Sequence, residues 1–90
     1  MTGISNIKHR RNNTDILAKM LEVAKEGTQK TQIMYKANLS FTQLNEYLPF
    51  LIQNDFVEVT VNDGKKTYVT TAKGRKFVQR HLELVRALKT

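Results

Sequence analysis

The chain predicts a mainly α domain carrying one two-stranded β-hairpin, with three short helices before the hairpin and one longer helix after it. Three observations predict it. Apolar residues recur at helical spacing in three segments before residue 55. The stretch FVEVTVNDGKKTYVTT alternates at period two around Asp63-Gly64, and the helical period then returns from Thr71 to the end.

The first helix starts near Asn13 or Thr14, either of which can cap it, and Asp15 in its first turn suits the positive end of the helix dipole. Ile16, Leu17, Met20, Leu21, Val23 and Ala24 fall on one side, and Gly27 is a left-handed stop. A second helix is expected from about Thr28 to Ala37, offering Ile33, Met34 and Ala37 to the core, with Asn38 turning the chain. Ser40 and Gln43 have the spacing of a capping box, and Phe41, Leu44, Tyr47, Leu48, Leu51 and Ile52 form the apolar stripe of a third helix closed by Asn54-Asp55. Pro49 lies inside that helix and removes the hydrogen bond to the Asn45 carbonyl, at a cost of about 3 kcal/mol. The stripe continues past it and Pro49 projects away from the stripe, so the sequence predicts a bend and not a break.

Asp63-Gly64 is the signal for a two-residue hairpin turn, and centring the turn there pairs Val59 with Tyr68 on the face of Val57 and Val61. Thr71 caps the last helix, which runs to about Lys89 and is roughly 27 Å long. The expected organisation is a flexible basic arm over residues 1–13, a compact domain over 14–71 and a final helix over 72–90.

The net charge of +7 favours a polyanionic partner, and it is unevenly placed. Residues 1–13 carry +3, residues 14–55 carry −1, residues 56–72 are neutral and residues 73–90 carry +5. With 90 residues and no cysteine the core is small and has no disulfide to reinforce it, so self-association is a natural source of further burial. No apolar run has membrane-spanning length and the first residues hold no signal-peptide core, so a cytoplasmic, nucleoid-associated protein is expected.

Three helices with a short turn between the second and third, followed at once by a hairpin, are the order of a winged helix-turn-helix domain. The segments KTQIMYKANLSFTQLNEYLPFLIQNDFVE and YVTTAKGRKF resemble the small winged-helix proteins of archaea, chromatin-associated or transcription-regulating, of the Sulfolobus ten-a type. The resemblance covers about residues 14–80. It implies binding of double-stranded DNA as a homodimer, joined through an antiparallel coiled coil of the C-terminal helices. The last helix here is short for a long coiled coil.

If the third helix enters the major groove, its polar side supplies Thr42, Gln43 and Asn45, with Ser40 at its start and Glu46 beside them. Asn and Gln can bond bidentately to adenine, while arginine-to-guanine contact is absent. Phosphate contacts are expected from Lys8, Arg10 and Arg11 on the arm, Lys30 and Lys36 around the second helix, and Lys65 and Lys66 after the wing turn. Lys73, Arg75 and Lys76 open the last helix, where the dipole disfavours cations, and phosphate binding by Lys73 and Arg75 would explain them.

The last helix carries a broad apolar stripe of Phe77, Val78, His81, Leu82, Leu84, Val85 and Leu88, expected to form the dimer interface. His81 reads as a packed interface residue and not a metal ligand, since a metal site needs several converging ligands. No cofactor, metal, membrane or small-molecule partner is expected. Nor is an enzyme, because no nucleophile-base pair or phosphate-cradling glycine loop occurs. The competing reading is a winged helix used for protein contact, which an exposed Phe50 would favour.

Overall fold

The computed structural model describes residues 13–89. Helices α1 (Asn13–Val23), α2 (Lys30–Lys36) and α3 (Phe41–Gln53) precede an antiparallel hairpin of β1 (Val57–Asn62) and β2 (Lys65–Thr70), and α4 (Ala72–Lys89) follows it. The basic arm with Lys8, Arg10 and Arg11 lies outside the described residues.

Two helix ends share one solution. At the end of α2, Asn38 takes φ 56°, its N–H donates to Tyr35 O (3.2 Å) and Leu39 N–H to Met34 O (2.9 Å). At the end of α3, Asp55 takes φ 63°, its N–H donates to Ile52 O (3.1 Å) and Phe56 N–H to Leu51 O (2.9 Å). This paired bonding satisfies the last carbonyls and reverses the chain within two residues. Leu39 becomes a buried residue of the turn itself, which helical periodicity does not reveal.

The capping box forms as expected. Gln43 N–H donates to Ser40 Oγ (3.1 Å) and Ser40 N–H to Gln43 Oε1 (3.0 Å). α3 runs unbroken through Pro49, which is on the exposed face, where solvent can satisfy the Asn45 carbonyl. The hairpin register is Val59 opposite Tyr68, with Asp63 and Gly64 both at positive φ (54° and 77°), the conformation that matches strand twist in a two-residue turn.

Met20, Leu21, Ile33, Leu44 and Leu51 are the largest fully buried side chains, so α1, α2 and α3 supply the centre of the core. Val57 and Tyr68 close it from the hairpin. Burial fades along β1 until Val61 is exposed, because the wing extends beyond the helices.

Two expectations are corrected. Thr28 does not begin α2: its N–H donates to Tyr68 O (2.9 Å) and it accepts from Tyr68 N–H (2.8 Å), a single bridge that adds a third chain segment beside β2. Phe41 is not in the core stripe. It shares the azimuth of Leu48 but sits at the first position of α3, beyond the edge of the core, and is 69% exposed.

The base of the hairpin is tied to α1 and α4. At the end of α1 the Lys25 N–H donates to Glu22 O, and the Leu21 carbonyl accepts instead from the buried Thr70 hydroxyl at 2.6 Å. Thr70 N–H donates to Ala24 O at 2.9 Å. Thr71 then caps α4, accepting from Gly74 N–H at 3.1 Å while its hydroxyl donates to Asp55 O at 2.6 Å. Gly74 is buried where a Cβ would stand 2.4 Å from Phe56 O and 2.6 Å from Thr70 Cγ2.

Two substitutions test this junction by chemical denaturation. Gly74→Ala forces backbone apart and is expected to lower stability by about 1–3 kcal/mol, the usual range for overpacking. Thr70→Val keeps the volume but leaves the Leu21 carbonyl unpaired, with an expected loss of about 1–3 kcal/mol. An unchanged midpoint for either would show that the junction is not tightly packed.

Candidate nucleic-acid interface

The polar side of α3 faces solvent. Thr42, Asn45, Glu46 and Pro49 are exposed, and Gln43 is half-buried. Gln43 belongs to the capping box, so its amide oxygen is already bonded and its side chain is held at the helix start. Ser40 is likewise occupied as the cap. Thr42 and Asn45 are the expected contact residues whose side chains are presented outward.

A shallow cleft of about 220 Å³ is lined by Lys30, Asn45, Leu48, Pro49, Gln53 and Tyr68. It brings the start of α2, the polar side of α3 and strand β2 to one side of the molecule. Lys36, in the last turn of α2, and Lys65 and Lys66, just after the wing turn, are all exposed. Ammonium groups on α2 and on the wing are thus open to solvent, and of these Lys30 shares a cleft with the Asn45 amide of α3. Tyr35, on α2 beside Lys36, is 80% exposed.

The cations at the start of α4 have other partners. Lys73 Nζ donates to Asn54 O at 3.0 Å and sits 4.9 Å from the centre of the Phe56 ring. Arg75 Nη2 donates to Lys25 O at 3.4 Å. Both acceptors lie at the C-terminal ends of other helices, Asn54 capping α3 and Lys25 in the turn after α1, where carbonyls concentrate negative charge. These contacts explain cations at the start of α4 without any phosphate. The sequence could not reveal this, since each pair joins residues far apart in the chain.

The apolar stripe of α4 divides. Phe77 and Val78 pack against the protein's own core, Phe77 lying 5.7 Å from the Phe56 ring centre. His81 stacks 6.4 Å from Phe77, and its Nε2 is 2.8 Å from Asp15 Oδ1 on α1. A carboxylate only accepts, so Nε2 carries the hydrogen. His81 thus packs within its own chain and fastens α4 to α1. Beyond it, Leu84 (60%) and Leu88 (78%) are exposed, as in part is Leu82, while Val85 is half-buried.

Three helices, a hairpin paired through its base to Thr28, and a final helix laid on α1 define a winged helix-turn-helix domain. The chain belongs to the winged helix-turn-helix family, whose pattern it matches over residues 10–89. It is 34% identical over 80 residues to an uncharacterized protein of Methanocaldococcus jannaschii, covering 88% of this chain and 78% of that one. Among solved structures it is similar to Sso10a-2, described as a DNA-binding protein from Sulfolobus solfataricus, with TM-score 0.80 and 19% identity over 88% of this chain and 83% of that one. It is also similar to a mutant of MepR from S. aureus, with TM-score 0.70 and 12% identity over 96% of this chain and 65% of that one. At these identities the two structures establish the shared fold.

Among the described residues no helix is long and apolar enough to cross a membrane, and no group of three or more metal-ligating side chains converges.

If Lys73 and Arg75 hold helix ends, Lys73→Ala is expected to lower the unfolding free energy by about 0.5–1 kcal/mol, the range for an exposed cation over a ring. Lys65→Ala on the wing should leave it unchanged. Equal midpoints for both variants in urea would return Lys73 to the set of unattached surface cations.

Proposed function

We propose that this protein binds double-stranded DNA as a homodimer and serves as a transcription regulator or chromatin protein. α3 occupies the major groove, Lys30 and Lys36 meet phosphates beside it, and Lys65 and Lys66 on the wing reach the adjoining backbone. Lys8, Arg10 and Arg11 of the arm add contacts in a neighbouring groove. The observation that carries this reading is the placement of Lys30, Asn45 and Tyr68 of the wing strand around one cleft of a winged helix-turn-helix domain, with Lys36, Lys65 and Lys66 exposed. The description of Sso10a-2 as a DNA-binding protein supports it. Affinity comes mainly from phosphates, because α3 has no lysine or arginine.

The dimer forms through the second half of α4. Leu82, Leu84, Val85 and Leu88 continue the stripe past the point where α1 covers it, and each large apolar side chain removed from water contributes about 1.5–3 kcal/mol. Two copies place two α3 helices on one duplex, and the geometry of α4 sets their separation.

A second reading, a protein-contact module with no significant DNA binding, is favoured by the exposure of Tyr35 and Phe50.

Replacing Lys65 and Lys66 together by alanine separates the two readings. Fluorescence anisotropy with random-sequence duplex should show weaker binding and a salt slope shallower by about 1–2, since each phosphate contact contributes about 0.9. A wild-type protein that binds no duplex at low salt would favour the protein-contact reading. For the dimer, sedimentation at tens of micromolar should give twice the 10.4 kDa chain mass for wild type, and the single chain mass for Leu84→Glu with Leu88→Glu. A wild-type monomer would remove the dimer from the account.

A further inference from the structure

The position of Phe41 bears on what α3 reads. Residues at the N-terminal end of the groove helix are the ones that approach base edges in a helix-turn-helix domain. Here those residues are Phe41, Thr42 and Asn45, all exposed, with Gln43 turned back into the capping box. Phe41 and Asn45 are four residues apart, about 6 Å along the axis, close to two base-pair steps of about 3.4 Å.

Each of these side chains has a chemical preference. An exposed phenyl ring offers nothing to a phosphate and nothing to the acceptor-rich edge of guanine, but it packs against the C5 methyl of thymine. The Asn45 amide can bond bidentately to the N6 and N7 of adenine, and the Thr42 methyl adds a second apolar contact. Glu46, also exposed, only accepts, so it suits the amino group of adenine or of cytosine and does not choose between the pairs. Resting on the DNA-binding reading above, we propose that Phe41 and Asn45 make α3 a reader of A·T base pairs in the major groove, with Phe41 recognising the thymine methyl.

A ring that is 69% exposed costs apolar surface in water unless something covers it. Its neighbours say what covers it. Lys30 on α2 shares the Asn45 cleft and can attract a polyanion to it, and Asn45, one turn along from Phe41, presents an amide matched to adenine. Thymine in a duplex is the apolar group that arrives with phosphates around it and adenine beside it.

The test is anisotropy with the full chain and three duplexes. One is A·T-rich, the second is the same sequence with every thymine replaced by deoxyuridine, and the third is G·C-rich. The second differs from the first only in the C5 methyl. Wild type should bind the uracil duplex about three- to tenfold more weakly than the thymine duplex, as expected for one or two methyl groups left uncovered. Phe41→Ala, whose folding is checked by circular dichroism, should lose most of that difference, leaving only the smaller contribution of the Thr42 methyl. Asn45→Ala should narrow the preference for A·T-rich over G·C-rich duplex. Equal wild-type affinity for thymine and uracil duplexes overturns the proposal, as does a Phe41→Ala variant that keeps the difference. In either case salt-dependent binding would leave the DNA-binding reading standing. Absence of binding to all three duplexes at low salt overturns both.

Discussion

The hydrogen bond from the buried Thr70 hydroxyl to the Leu21 carbonyl sets the relation between the helices and the wing. It forms where α1 tightens its last turn and leaves that carbonyl without its usual backbone donor. Thr70 is also the last residue of β2, and its own N–H is bonded to Ala24 O. One residue therefore fixes the base of the hairpin against α1, and the next, Thr71, starts α4 while bonding to the end of α3 through Asp55 O. Gly74 allows α4 to lie against Phe56 O at a distance no side chain permits. Among the described residues Thr70 is the one buried polar side chain, and its position between the end of α1 and the start of α4 accounts for that.

This junction determines which surfaces are left for partners. With β2 held at its base, the wing projects Lys65 and Lys66 away from the core, and pairing with Thr28 brings Tyr68 under the start of α2. With α4 held at its start, Phe77, Val78 and His81 are drawn onto the protein's own core, and Leu82, Leu84 and Leu88 are left exposed. Lys73 and Arg75 are drawn in as well, toward the carbonyl ends of α3 and α1. Two of the cations of the last segment are thus bonded within the fold although they remain exposed.

What could be read in the sequence was local. Asp63-Gly64 predicts its turn and register because turn geometry depends on two residues, and Ser40 with Gln43 predicts a helix start because the bonding partners lie three residues apart. Asn38 and Gly27 were legible for the same reason: both have positive φ. What could not be read depends on distant partners. Periodicity places Phe41 on the same side as Leu48, yet it cannot say that the core ends before the first turn of α3. Thr28 looks like a helix start until Tyr68 pairs with it, and His81 looks like a free member of a stripe until Asp15 meets it across 66 positions. The candidate interface was legible as a set of residue types, whereas the division between cations facing outward and cations bound to helix ends needed the fold.

The proposed function requires α2, α3 and the wing to form one face that takes duplex DNA. Amide chemical-shift mapping tests it most directly, by titrating isotopically labelled protein with a short duplex at low salt. On that reading the shifted amides cluster from Lys30 to Leu48 and around Lys65 and Lys66, with the second half of α4 unmoved. Shifts confined to α4, or none at all with saturating duplex, would contradict it.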